Sequence, residues 1–327
     1  MKLSTFAVAA LAAPFVQAAP TDIRELANRQ TKPKELSMIK PAVCDMIACL
    51  PPAVQPEFYP VLQRYTRYAV ASLATFVYGF GTCKSPPFGS TLVRKVVSDI
   101  VNDTQVAVFQ DDAAKEFIVS FAGSSSLQDF GTDFNFFFMP FDSAPGCTGC
   151  QVHGGVLKGW RSVQAGVIQA LAELRAEQPS YSTIITGHSL GGGLASIAYT
   201  DLKANGVPIK IAYTMGSLRV GNQQYADYTD KLSGASDTNL GTLIRITHRI
   251  DGVPGLPLTP MGFVHTRTEI YEQDTAPILG TQSAGTTYRC FGQEAPDCNK
   301  GTATGFINQD HLVYTEINMT DGAQCDN

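Results

Sequence analysis

One turn constrains this chain more than any other feature. Gly187-His188-Ser189-Leu190-Gly191 joins a short β-prone run, Ser182-Thr-Ile-Ile-Thr186, to a run of helical spacing from Leu190 to Lys203 that ends at Asn205-Gly206. The order strand, G-x-S-x-G turn, helix is the context in which such a serine stands exposed at the end of a strand. The turn is too tight for side chains on either flank, which is why glycines bracket it, and the serine backbone itself is strained. Other segments read the same way. Apolar spacing predicts a helix over 58–78 and another from Val156 to Leu174, stopped before Pro179. Strands are expected at Thr104–Gln110 and Glu116–Phe121, parted by Asp111-Asp112, and at Tyr181–Thr186, Ile209–Thr214, Leu243–Thr247 and Thr268–Tyr271. Buried strands alternating with helices predict an α/β fold, with a mostly parallel central sheet and helices on both faces. No internal repeat or linker divides it, so one domain is expected over 51–327.

A serine hydroxyl is a weak nucleophile until an imidazole takes its proton. With a strand-end serine of this kind the chain order is serine, then acid, then histidine. Of the five histidines, His248, His265 and His311 lie downstream. His311, in Gln309-Asp-His-Leu-Val-Tyr314, follows the last strand read and is the expected general base; His248 and His265 are expected to pack or hydrogen-bond. His188 adjoins the serine, points away from its hydroxyl and is read as structural. Asp251 opens the loop after the Leu243–Thr247 strand and is the expected acid, holding the imidazole tautomer and stabilising its cation. Oxyanion donors are expected from the Leu190 N–H and from Ser124, in the loop after Glu116–Phe121.

The first residues bear on compartment. Lys2, the apolar stretch Leu3 to Val16 and the small pair Ala18-Ala19 read as a secretory signal peptide over 1–19, with 20–50 a propeptide or N-terminal arm. No later stretch of about 20 apolar residues would cross a bilayer. An extracellular chain is expected to hold its eight cysteines as disulfides. Cys147 with Cys150, Cys290 with Cys298 and Cys44 with Cys49 are close in sequence, which leaves Cys83 for Cys325. A zinc reading of Cys147-Thr-Gly-Cys150 with His153 lacks a second ligand pair, so no metal and no cofactor is expected. Asn102 and Asn318 open N-glycosylation sequons. With 24 basic against 29 acidic residues the net charge is −5, a poor match for nucleic acid.

Taken together, GHSLGGG at 187–193, FAGSSS at 121–126, VHGG at 152–155, TMGSLRVGN at 214–222, THRIDGVPGLPL at 247–258, GFVH at 262–265 and DHLVY at 310–314 resemble the filamentous-fungal class 3 lipases, a family that also contains feruloyl esterases. The resemblance spans about residues 55–325. It implies an α/β-hydrolase fold, a triad of Ser189, Asp251 and His311, and an oxyanion hole at Ser124 and Leu190. Leu218 stands where the family usually has proline, which questions that turn, and the glycine run after Ser189 is long enough to loosen the start of its helix.

Residues 127–141 bear on substrate. Leu127, Phe130 and Phe134 fall at helical spacing opposite Gln128, Asp129, Thr132 and Asp133, an amphipathic pattern at lid position. Phe136, Phe137 and Phe138 follow, an apolar surface for acyl chains, each methylene of which gains about 0.8 kcal/mol on leaving water. The expected activity is therefore that of a secreted triacylglycerol lipase with transient binding to lipid interfaces. The alternatives are a feruloyl or other small-ester esterase, a mono- or diacylglycerol lipase, a phospholipase, and, from another class, a non-catalytic binding protein of the same fold.

Overall fold

The computed structural model describes residues 54–77, 91–123, 136–273, 284–304 and 307–320. The signal and arm segments, Cys44, Cys49, Cys83, Cys325, Ser124, Leu127, Phe130 and Phe134 lie outside these residues.

Helix α1 (Tyr59–Val77) leads into a hairpin of β1 (Thr91–Asp99) and β2 (Thr104–Asp111), followed by β3 (Glu116–Phe121). A short hairpin, β4 (Phe138–Pro140) and β5 (Gln151–His153), precedes helix α2 (Gly154–Glu177). The chain then alternates β6 (Ser182–His188), α3 (Leu190–Ala204), β7 (Ile209–Met215), α4 (Gln223–Ser233) and β8 (Leu243–His248). It closes with β9 (Glu269–Glu272), β10 (Thr287–Cys290), the short helix α5 (Asn299–Thr302) and a terminal ladder of β11 (Val313–Tyr314) and β12 (Ile317–Asn318). Eight strands form one sheet in the order β1-β2-β3-β6-β7-β8-β9-β10. The run from β3 to β9 is parallel throughout, and the outer pairs are antiparallel.

Strand periodicity sorts the core into two layers. Val106, Val108, Phe117, Val119 and Phe121 point to the face covered by α2 and α3, where Trp160 and Leu194 are buried. Ala107, Phe109 and Ile118 point to the other face and pack with Tyr65 and Tyr68 of α1. The expected parallel sheet with helices on both faces is thus the observed one. Trp160, the one tryptophan of the chain, is fully buried, edge-on to Phe121, and donates from Nε1 to Asp201 of α3 at 2.6 Å.

Some elements escaped the sequence reading. β1 is a half-exposed edge strand carrying Arg94 and Lys95, so its apolar alternation is weak. α4 buries few apolar side chains, Tyr225 and Ala226 among them, yet Asn222 caps its first turn through the Tyr225 N–H and Gly234 ends it in left-handed conformation, both readable start and stop signals. α2 begins at Gly154 rather than Val156 because the His153 Nδ1 accepts from the Gly155 and Val156 N–H groups. Burial drives that imidazole down to about 4, so it stays a neutral acceptor.

Register aligns the carboxyl ends of the parallel strands. Phe121 stands opposite Gly187, His188 opposite Met215, and Met215 opposite Ile246. Loops leaving these ends therefore share one edge, where sites gather in open α/β sheets.

Candidate active site

Ser189 follows β6 directly and adopts φ +59°, ψ −125°, a backbone conformation that side chains avoid. The glycines around it are demanded by space. A Cβ at Gly187 would lie 2.3 Å from the Gly191 carbonyl oxygen, and one at Gly191 would lie 2.2 Å from that of Phe121. Close approach of helix to strand end is what holds the strained turn. The next two glycines are likewise filled from outside: a Cβ at Gly192 would meet Ser217 Cβ at 2.9 Å, and one at Gly193 would meet Leu218 Cδ2 at 2.7 Å. Leu218 is buried and packs into the space the glycine leaves, so the leucine and the glycine run compensate each other and the helix starts intact at Leu190.

His311 lies in a single 3-10 turn, Gln309–Leu312, capped by Asn308, and returns to this edge. Its Nε2 is 2.9 Å from Ser189 Oγ and its Nδ1 is 2.9 Å from Asp251 Oδ2. A carboxylate only accepts, so Nδ1 carries the proton and Nε2 presents its lone pair to the serine hydroxyl. Asp251 Oδ1 accepts from the Val253 N–H at 2.9 Å, and Asn299 Nδ2 donates to the Asp251 carbonyl at 3.0 Å. All three side chains are buried, so water does not compete for these bonds.

Tyr314 is a contributor the sequence reading missed. Its hydroxyl donates to Asp251 Oδ2. Burial, then the charge of Asp251, hold the phenol well above its usual range, which keeps it a donor. Its position three residues after His311 was the available signal. Arg219 and Glu294 were missed as well. Arg219 Nε and Nη2 grip both oxygens of Glu294 at 2.8 Å, while Nη1 donates to the Gly255 and Pro257 carbonyls at 2.5 and 3.0 Å. His265 Nε2 donates to the Pro254 carbonyl at 2.8 Å. The loop beyond Asp251 is thereby fastened by its own carbonyls.

Among the remaining expected residues, Leu190 opens α3, where the first N–H groups of a helix have no intrahelical partner. Gly123, next to Ser124, abuts the turn: its Cβ would stand 3.1 Å from the His188 carbonyl and 3.7 Å from Ser189 Cβ. Phe136 stands edge-on to His153, Phe138 stacks on Phe263 at 4.0 Å between centroids, and Phe137 is 41% exposed beside Lys158. Cys147–Cys150 and Cys290–Cys298 are disulfides. Asn102 lies in the β1–β2 turn and Asn318 in β12, both exposed.

A serine on a strained strand-to-helix turn, backed by an imidazole and a carboxylate at the carboxyl edge of a mostly parallel sheet, defines an α/β-hydrolase. Residues 118–261 match the family described as lipase (class 3). The chain is 34% identical over 242 residues to the secreted mono- and diacylglycerol lipase 1 of Fusarium solani, covering 74% of this chain and 69% of that one. A crystal structure of a mutant form of MDLA from Penicillium cyclopium superposes with a TM-score of 0.70 at 29% identity, covering 82% of this chain and 99% of that one. The Rhizomucor miehei lipase propeptide complex gives a TM-score of 0.70 at 26% identity, covering 84% and 85%. The chain belongs to the class 3 lipase family, whose members are carboxylic ester hydrolases.

Proposed function

We propose that the protein is a triacylglycerol lipase, hydrolysing acylglycerol esters through an acyl-enzyme on Ser189. The observation that carries this reading is the unbroken bonded row Ser189 Oγ, His311 Nε2, His311 Nδ1, Asp251 Oδ2. The Ser189 hydroxyl attacks the ester carbonyl while its proton passes to His311 Nε2. The Leu190 N–H and Ser124 receive the oxyanion. Collapse expels the glycerol alkoxide, which takes the proton from Nε2. Water then repeats the sequence and releases the fatty acid. Asp251 keeps the Nδ1 proton in place and balances the imidazolium.

Substrate class rests on the phenylalanine-rich composition of the segment after Ser124, in which Leu127, Phe130, Phe134 and Phe136–Phe138 supply apolar side chains of the kind that suits acyl chains and a lipid interface. Secretion rests on the leader-like 1–19, the arm at 20–50 and a relative named as secreted. Glycans at Asn102 and Asn318 belong to the same reading. The same reading takes 51–327 as one domain. A second reading, preference for partial glycerides, is favoured by a relative named as a mono- and diacylglycerol lipase.

The test compares emulsified triolein, diolein and methyl ferulate, with Ser189→Ala as the blank. Acylglycerol rates should rise once the substrate forms an interface and exceed the ferulate rate. Diolein outpacing triolein selects the second reading. Methyl ferulate as the best substrate overturns both.

A further inference from the structure

Two histidines outside the proposed triad hold the backbone that carries His311. β6 ends in His188 and β8 ends in His248. His188 Nε2 lies 2.8 Å from the carbonyl oxygen of His311, and His248 Nδ1 lies 2.9 Å from that of Asp310. A carbonyl only accepts, so each ring nitrogen carries a proton and donates it. Both rings are buried, at 4% and 3% exposure, and water has little access to replace either donor. They stand edge-on to Tyr314 from two sides, at 5.7 and 5.8 Å between centroids, and the Tyr314 hydroxyl in turn binds Asp251.

The placement follows from topology. His188 immediately precedes Ser189, and His248 stands three residues before Asp251. Each strand that presents one partner of His311 thus also takes one carbonyl of the segment bearing it. That segment has only a four-residue 3-10 turn of its own, too short to set the imidazole unaided.

We propose that His188 and His248 are paired positioning residues, which donate to the consecutive carbonyls of His311 and Asp310 and so hold the His311 ring between Ser189 and Asp251. The proposal rests on the reading of Ser189, Asp251 and His311 as a triad. It makes the spacing of nucleophile, base and acid a property of two strand ends rather than of the three side chains alone.

The test uses the full-length enzyme, with Ser189 titrated by a fluorophosphonate and turnover of a soluble p-nitrophenyl ester expressed per labelled site. His248→Leu and His188→Met should each lower kcat about tenfold with KM nearly unchanged, the scale of one buried hydrogen bond left unmade. His248→Asn sets an amide N–H near the Nδ1 position, and His188→Gln sets one near Nε2. Both should recover most of the loss, which a merely space-filling role would not produce. Wild-type kcat per labelled site in the apolar variants overturns the proposal, as do amide variants no better than the apolar ones. Where His188→Met fails to fold, the His248 pair decides. A wild-type enzyme that does not label at Ser189 overturns the triad reading itself, an outcome separable from labelled enzyme with unaltered variants.

Discussion

Replacing Gly216 by alanine should impair turnover beyond its effect on stability, and the size of both effects follows from local geometry. Gly216 follows β7 at φ +56°, and its N–H donates to the Ile246 carbonyl at 3.0 Å. Holding a side chain in that left-handed region costs about 1–2 kcal/mol. For a chain of this size each kcal/mol lowers the melting temperature by about 2–4 °C, so a fall of roughly 2 to 8 °C is expected. The added Cβ would lie 2.9 Å from Tyr314 Oη, 3.1 Å from Asp251 Oδ2 and 3.1 Å from His311 Cε1. Ordinary contact begins at 3.4 Å, so Tyr314 must yield 3.4 − 2.9 = 0.5 Å, and the carboxylate and imidazole must yield 0.3 Å each. A 1 Å misplacement of reacting groups costs roughly 100-fold, so the 0.3 Å imposed on the imidazole and the carboxylate predicts about a fourfold loss of kcat. Gly206 supplies the control. It sits at φ +81° with nothing within 4 Å of its would-be Cβ. Gly206→Ala should therefore carry the same backbone penalty with turnover per titrated site untouched. The assay is differential scanning fluorimetry beside p-nitrophenyl ester turnover normalised to fluorophosphonate-reactive sites. Equal turnover loss in the two variants, or none in Gly216→Ala, refutes the steric argument.

Ser189→Ala should reduce turnover by on the order of 10⁶, and Asp251→Asn by about 10⁴ through the wrong imidazole tautomer, both read as initial rates on a soluble ester. Burial pushes the Glu294 carboxyl up, but hydrogen bonds from Arg219 outweigh it and carry it down to about 2. An acid depressed in the folded state stabilises above its unfolded value and loses that contribution as the pH falls through the folded one. Stability from this pair should thus fade between about pH 4.5 and 2, and Glu294→Gln should flatten that part of a melting-temperature profile. Trp160→Ala should cost about 3–5 kcal/mol in chemical denaturation, since the ring is fully buried and its N–H joins α2 to Asp201.

Local signals made much of the fold readable. The β6–turn–α3 unit carries its own glycines, its own buried strand and its own helix end, and each lies within 20 residues of the serine. His311 and Asp251 were reachable because chain order and the loop after a strand end restrict the candidates. Elements held mainly by tertiary contacts were not: β1 pairs with β2 through a half-exposed edge, and β10 is a four-residue strand at the other edge of the sheet, paired with β9. The same holds for the supports of the site. Tyr314 reaches Asp251 across 63 residues, Arg219 reaches Glu294 across 75, and His188 reaches the His311 carbonyl across 123.

The turn that strains Ser189, the alternation of strands and helices, and the residue types available for proton transfer are all written locally along the chain, because steric exclusion at glycine and hydrophobic periodicity act over a few residues. Which hydrogen-bond donors surround the acid and the base was decided only when register brought four strand ends to one edge. Those contacts join segments far apart in the chain, and no local pattern encodes a distance that only the closed sheet defines.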